Sequence, residues 1–356
     1  MAIPTRTPLL HTERLGSHTL YRVRRGPSGA WRPRPLLVGA VLTVLVVAAF
    51  GAELVTGRYP VSAAEAIGAL FWYGDQATVD VVYRLRLPRA LVGVLAGAAF
   101  AVSGAIFQTL ARNALASPDV IGVTAGANAA AVAGLVLGVG AGLSTAALAL
   151  LGAAASAVAI YALAWKNGAS GYRIILIGIG ISALCTSITA YLLQRADLFQ
   201  AQRAVVWLTG SINMREWTHV VPLAAAVAVL LPVAFALGRH LAALTLGDDT
   251  ARGLGVPVQR SRAVLLFTAV GLAAFATASA GPIAFVALIA PQVALRLVGR
   301  PTPPLAVSAL TGALIVLAGD MAARPFDLPV GVVTGLVGAA GLMWLLARAN
   351  RTGQGA

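Results

Sequence analysis

The imidazole, thiol and ammonium side chains that could support covalent or metal chemistry number six in this sequence: His11, His18, His219, His240, Cys185 and Lys166. A helical metal site needs ligands one turn apart, as in His-Glu-x-x-His, and these histidines form no such set. A single cysteine rules out both a disulfide framework and a thiolate metal site. A nucleotide loop needs Gly-x4-Gly-Lys-Ser/Thr so that backbone amides and one lysine hold the phosphates. The only lysine stands in Ala164-Trp165-Lys166-Asn167 and cannot serve. The chain is therefore read as non-enzymatic, with no catalytic, cofactor-binding or metal site of its own.

One polar segment has the chemistry of recognition instead. Leu246-Gly-Asp-Asp-Thr-Ala-Arg-Gly-Leu-Gly-Val-Pro257 reads as a short helix. Asp248 or Asp249 would be its N-cap, Arg252 lies in its body, and Gly253 and Gly255 form the exit before Pro257. A short helix with Leu254 and Val256 beside charges suits a groove on a partner. An ordinary solvated loop obeying the membrane charge rule accounts for the same residues equally well.

The elements that must position this segment are membrane spans. The chain is 59% hydrophobic and 11% charged, which no soluble class matches. Runs of about 20 apolar residues, enough to cross the hydrocarbon core, lie near 36–56, 89–110, 118–138, 145–165, 173–193, 219–238, 263–281, 282–298, 305–320 and 329–347. The eighth begins where Pro282 must split one long apolar stretch. The fold expected is an all-α integral membrane bundle of about ten helices. Residues 1–35 form a basic N-terminal tail, disordered at the membrane surface. A transmembrane domain spans 36–348, with a cytoplasmic loop at 239–262, and a C-terminal tail covers 349–356. The tail is too long for a signal-peptide n-region.

Placing the N-terminus inside assigns 18 of the 26 basic residues to the inner side, and eight of the 12 acidic residues to the outer. That bias sets both termini in the cytoplasm. It also explains the net charge of +14 without nucleic acid, because the basic residues sit between apolar blocks. Arg86 and Arg324 go against the bias, at the outer ends of spans. They either snorkel to the interface or hold carboxylates of a partner. The fifth span carries Gly178, Gly180, Ser182, Cys185, Thr186, Ser187 and Thr189, small residues that let helices approach closely. Gly93 with Gly97 and Gly122 with Gly126 have the spacing of tight crossings. Ionisable residues are nearly absent away from the span ends, which disfavours an ion-coupled secondary transporter.

Taken in order, several motifs resemble the FecCD family of binding-protein-dependent ABC importers, whose cargoes are ferric siderophores, haem and cobalamin. They are Arg86-Leu-Pro-Arg89 with Gly93, Gly97 and Ser103-Gly104, then Asn113-Ala-Leu-Ala-Ser-Pro-Asp119 with Ile121-Gly122 and Gly126. Gly281-Pro-Ile-Ala-Phe-Val-Ala-Leu-Ile-Ala-Pro291, Asp320-Met-Ala-Ala-Arg324 and Leu328-Pro-Val-Gly331 follow. The departures are Ala114 for Pro, Gln292 for His, Asp327 for Glu and Ala340 for Pro. Gln292 is similar to ferric-enterobactin-type permeases.

The resemblance implies a permease that pairs with a second permease chain, identical or homologous, above two ABC ATPase subunits that bind ATP and Mg. An extracytoplasmic substrate-binding protein would deliver a ferric siderophore, with haem or cobalamin as the alternative cargo. Asp248, Asp249, Arg252, Gly253, Leu254 and Gly255 would then contact the ATPase. Arg86 and Arg324 would receive acidic side chains of the binding protein, and Ser182, Thr186 and Thr189 would line the translocation path.

Overall fold

The structure, a computed structural model, describes residues 10–15, 18–23, 29–31, 33–119, 121–138, 143–164, 171–299 and 302–353. Lys166 and Arg300 lie outside the described residues. Three short strands, β1 (Leu10–Leu15), β2 (His18–Val23) and β3 (Gly29–Trp31), precede the helices. The helices are α1 (Pro33–Val55), α2 (Ala63–Leu70), α3 (Gln76–Asp80), α4 (Leu87–Ala111), α5 (Val123–Leu137), α6 (Thr145–Ala164), α7 (Gly171–Arg195) and α8 (Leu198–Leu208). They continue as α9 (Trp217–Ala236), α10 (Gly238–Leu244), α11 (Asp248–Gly253), α12 (Val258–Ala280), α13 (Val286–Val298), α14 (Leu305–Ala323) and α15 (Val330–Gly353).

Among the described residues, seven helices are long and apolar enough to cross a membrane, and α5, α13 and the apolar part of α15 are shorter. Together they are the ten apolar segments that hydropathy predicts. Three sequence boundaries move. The third segment becomes helical only at Val123, after a turn that needs Gly122 at φ +94°. The eighth starts at Val286 rather than Pro282, because Gly281 (φ +73°) and Phe285 (φ +64°) hold an extended linker between α12 and α13. The loop at 239–262 is largely helical, divided among α10, α11 and the start of α12.

Each tail holds regular structure among its described residues. β1 and β2 pair antiparallel from Leu10↔Val23 to Leu15↔His18, and β3 adds to β2. Thr12, Thr19, Tyr21 and Val23 are strand-forming types inside a tail otherwise marked by Arg, Pro and Gly. At the other end α15 runs to Gly353, since no Pro or Gly interrupts residues 342–352.

α4 is the centre of the bundle. Phe100 and Ile106 are fully buried on it, and it packs against α9, α12, α13 and α14. In a membrane, apolar surface gains little from leaving lipid, so close van der Waals contact must hold helices together. Small residues supply it. Gly97 of α4 faces Gly312 of α14 backbone to backbone, and Gly104 lies against the carbonyl of Ala287 on α13. Gly126 of α5 meets Gly152 and Ser156 of α6 in the same way. α1 is the opposite case, with Leu36, Leu37, Val41, Val44, Leu45 and Val47 all exposed.

These contacts make a sharp expectation. A Cβ at residue 104 would fall inside the Ala287 carbonyl. The Gly104→Ala variant should therefore lose about 1–3 kcal/mol or more to overpacking. That outweighs the gain of about 1 kcal/mol that alanine brings to a helix. Gly39→Ala, with nothing within 4 Å of the new methyl, should be neutral or slightly stabilising. Thermal unfolding of the purified variants in detergent distinguishes the two.

Candidate functional site

Charge gathers at the two ends of the bundle, here called after the arginines that flank α4, the Arg89 end and the Arg112 end. At the Arg89 end, α14 finishes with Asp320 and Arg324 one turn apart, while α4 begins with Arg89 just after Pro88. Pro88 suits the first turn of a helix because its φ is already helical and its missing N–H would have had no partner. Arg89 grips Asp320 bidentately, Nε to Oδ2 and Nη2 to Oδ1, both at 2.9 Å. Its remaining Nη1 donates to Asn213 Oδ1 at 3.0 Å. Arg324 donates to the same Asp320 Oδ2 through Nε at 3.2 Å and Nη2 at 3.1 Å, and through Nη1 to the Thr56 carbonyl at 2.8 Å. Glu53, fully buried near the end of α1, also meets Arg324.

Arg86, which the family resemblance implies as a docking residue, is engaged with backbone carbonyls. It is 8% exposed, and its guanidinium donates to the carbonyls of Leu54 (2.8 Å), Val55 (2.7 Å) and Tyr59. The last carbonyls of α1 have no intrahelical donor and carry the negative end of the helix dipole, so a cation there is doubly favoured. Gly57 leaves the room, since a Cβ at that position would press on the guanidinium. Arg324, with its side chain 19% exposed, keeps some access to solvent.

Arg89, Asp320, Glu53 and Asn213 are functional candidates that residue-by-residue reading missed. The signal existed for two of them, because Asp320 and Arg324 stand at i, i+4 on one helix face and Arg89 belongs to the same motif as Arg86. No sequence feature pairs Arg89 with a residue more than two hundred positions away.

At the Arg112 end, α11 lies within the polar segment and α10 leads into it. The N-cap of α11 is Gly247 at φ +108°, not Asp248 or Asp249, which occupy the first turn. The Asp248 carboxylate is used elsewhere, accepting from Arg262 of α12 at 2.8 Å and lying 3.8 Å from Arg112. Arg112 also donates to the Leu244 carbonyl at the end of α10 (2.9 Å). Asp248 thus ties the segment to the bundle. Asp249 and Arg252 pair with each other at 2.7 Å on the exposed side, where Leu246 and Leu254 stand out at 62% exposure each. Gly253 closes α11 and Gly255 turns the chain at φ +80°. Ala251 is buried and anchors the helix.

Ser182, Thr186 and Thr189, the α7 residues implied to line the path, do not share one environment. Thr186 is exposed, Ser182 is half-buried with its backbone against Gly122, and Thr189 is buried with its hydroxyl donating to the Cys185 carbonyl at 2.9 Å. Gln292, on α13, donates to Gln108 Oε1 at 2.8 Å, and Gln108 in turn donates to the Leu288 carbonyl at 2.8 Å. Its amide therefore closes a side-chain chain between α13 and α4.

The FecCD transport family matches residues 41–348 of the chain. The ferric enterobactin transport system permease protein of Escherichia coli (strain K12) is 40% identical over 324 residues, covering 89% of this chain and 98% of the relative. The achromobactin transport system permease protein of Dickeya dadantii (strain 3937) is 39% identical, covering 86% of this chain and 89% of the relative. The iron(3+)-hydroxamate import system permease protein of Bacillus subtilis (strain 168) is 36% identical, covering 89% and 98%. A solved structure assigned to the metal-chelate type of ABC transporter, in an inward-facing conformation, superposes with a TM-score of 0.76 at 26% identity, covering 88% of this chain and 99% of that one.

Removing Asp320 should be far more damaging than removing an exposed partner. Asp320→Ala leaves the half-buried Arg89 guanidinium without a carboxylate and Arg324 with Glu53 alone, and should cost about 3–5 kcal/mol. Asp327→Asn, which suits the left-handed φ of +51° there, breaks only the exposed pair with Arg58 and should cost about 0–1 kcal/mol. Chemical or thermal unfolding of the two variants side by side checks the contrast.

Proposed function

The chain belongs to the FecCD transport family, and we propose that it is the membrane-spanning permease subunit of an ATP-driven importer carrying a ferric siderophore into the cytoplasm. One observation carries this reading. Nearly the whole chain aligns with permeases whose cargo systems are named for enterobactin, achromobactin and iron hydroxamate.

The Arg112 end faces the cytoplasm in this proposal, in agreement with the excess of basic residues in its loops. ATP and Mg are bound by two partner ATPase subunits, and the chain pairs with a second permease chain, identical or homologous. The exposed side of α11, with Asp249, Arg252, Gly253, Leu254 and Gly255, contacts the ATPase. Asp248 acts from behind by holding α11 to Arg262 and Arg112. The Arg89 end receives the extracytoplasmic binding protein. Arg324 offers it the more accessible guanidinium, and Arg86 supports the site by fixing the end of α1. Carboxylates of the docking protein would compete with Glu53 and Asp320 for Arg324, since a guanidinium fork binds any well-placed carboxylate bidentately.

Transport then proceeds by alternating access. Nucleotide binding on the ATPases moves α10 and α11, these pull on α4 and α12, and the central passage changes the side to which it opens. Thr186, on the exposed face of α7, is the residue of the predicted path set best placed to meet cargo.

The test is ATP-driven uptake of a radiolabelled ferric siderophore by the complex reconstituted in vesicles with its ATPase and binding protein. Arg252→Glu should reduce uptake about tenfold or more, as expected when a charge at an interface meets its like. The variant should still assemble in the membrane, because Arg252 is exposed. Wild-type uptake by the Arg252→Glu complex would reject the coupling role. Uptake that persists without ATP hydrolysis would reject the importer reading itself.

A further inference from the structure

The segment between α1 and α4 ends its first helix in an unusual way. The N–H of Tyr73 donates to the Gly68 carbonyl at 2.9 Å and the N–H of Trp72 to the Ala69 carbonyl at 3.1 Å. These two bonds make a Schellman cap, and the residue after the cap must be left-handed, which is why glycine is the usual occupant. Here that residue is Trp72, at φ +61°. A bulky residue held at positive φ is strained, and such strain persists where the side chain has a use.

The side chains around the cap face outward. Phe71, Trp72 and Tyr73 are 73%, 64% and 79% exposed, and Ile67, one turn earlier on the face of Phe71, is 60% exposed. They are positioned all the same. The Trp72 ring lies 4.9 Å from that of Tyr83, which lies 5.1 Å from that of Trp217, and Trp217 Nε1 donates to the Tyr83 carbonyl at 3.1 Å. The opposite side of α2 is fixed by Ala66 and Ala69, buried in a cluster with Leu54 and Val82. No charged residue occurs between Glu65 and Asp75.

We propose that Ile67, Phe71, Trp72 and Tyr73 form an anchor in the headgroup layer of the leaflet at the Arg89 end. Tryptophan and tyrosine are suited to that layer, because each joins an apolar ring to a polar tip. The patch also continues an exposed apolar surface, since α2 packs on α1, a helix long and apolar enough to cross a membrane whose apolar stripe is exposed along the chain. A protein partner fits less well. The groups at this end suited to acidic side chains are the arginines, and the patch holds no charge. The anchor sets the depth of the 56–80 segment, which supplies the Tyr59 carbonyl to Arg86 and the Thr56 carbonyl to Arg324. The inference needs only that the chain spans a membrane, so it stands or falls apart from the choice of cargo.

The experiment measures depth. Phe71→Cys in a Cys185→Ser background is labelled with an environment-sensitive fluorophore and placed in phosphatidylcholine–phosphatidylglycerol nanodiscs. Lipids carrying a spin label near the headgroup should quench it more than lipids labelled deep in the chain, and iodide should reach it poorly. Adding Trp72→Gly, which suits the left-handed position, should keep the unfolding temperature yet lower the shallow quenching about twofold, because a belt residue is lost. Free access to iodide without lipid quenching overturns the proposal. So does protection that arises only when the binding protein is added, which would mark the patch as a protein-docking surface. Unchanged quenching after Trp72→Gly also overturns it, since Trp72 would then have no part in the anchoring.

Discussion

A carboxylate with almost no access to water, at the end of a membrane helix, is tolerable only if it is matched, and Asp320 is matched twice. Arg89 reaches it from α4 and Arg324 from its own helix. A buried ion is stripped of hydration at a cost of several kcal/mol, so the three residues must stay together or the site comes apart. The geometry of the whole Arg89 end follows. Asn213 is drawn in through Arg89, and Thr56 and Glu53 through Arg324, so α1, α4, α14 and the turn before α9 meet at one carboxylate.

The same constraint governs the neutral backbone. Helix ends leave carbonyls without partners, and in or near lipid water cannot supply them freely. Arginines do so three times. Arg86 caps α1 through Leu54 and Val55, Arg112 caps α10 through Leu244, and Arg34 caps α13 through Leu297 at 2.9 Å. Each cap joins two elements distant in sequence. Part of the charge that composition presents as membrane topology is therefore structural, spent on helix ends rather than on solvent or a partner.

This is why the spans were legible in the sequence and the site only partly so. Crossing hydrocarbon requires an apolar run, a local property, and all ten runs are helical in the structure. Close approach is local as well, and Gly97 meets Gly312 much as its spacing with Gly93 implies. Ion pairs are not local. Arg86 is legible as a basic residue at the end of a span, but only the fold reveals that α1 ends beside it. Asp248 illustrates the same limit at the other end. Its position before a short helix fits an N-cap, yet a guanidinium on α12 outcompetes backbone N–H groups for the carboxylate, and Gly247 takes the capping position.

α4 is what makes the two ends a single device. At 25 residues it is about 37 Å long, enough to join them through the thickness of a bilayer. Arg89 at its start belongs to the carboxylate cluster, and Arg112 after its end holds α10 and lies beside Asp248 of α11. Between them Gly97 and Gly104 press its backbone against α14 and α13, which leaves the helix little freedom to bend or slide alone. A force applied to α11 from one side, or to Arg324 from the other, thus reaches the same tightly packed core of α4, α13 and α14. α7 is tied far more loosely, with much of its surface exposed and few contacts to α4. The α5–α6–α7 group meets the core chiefly through α12, against which α5 and α6 both pack. None of the ion pairs described at the two charged ends crosses that boundary.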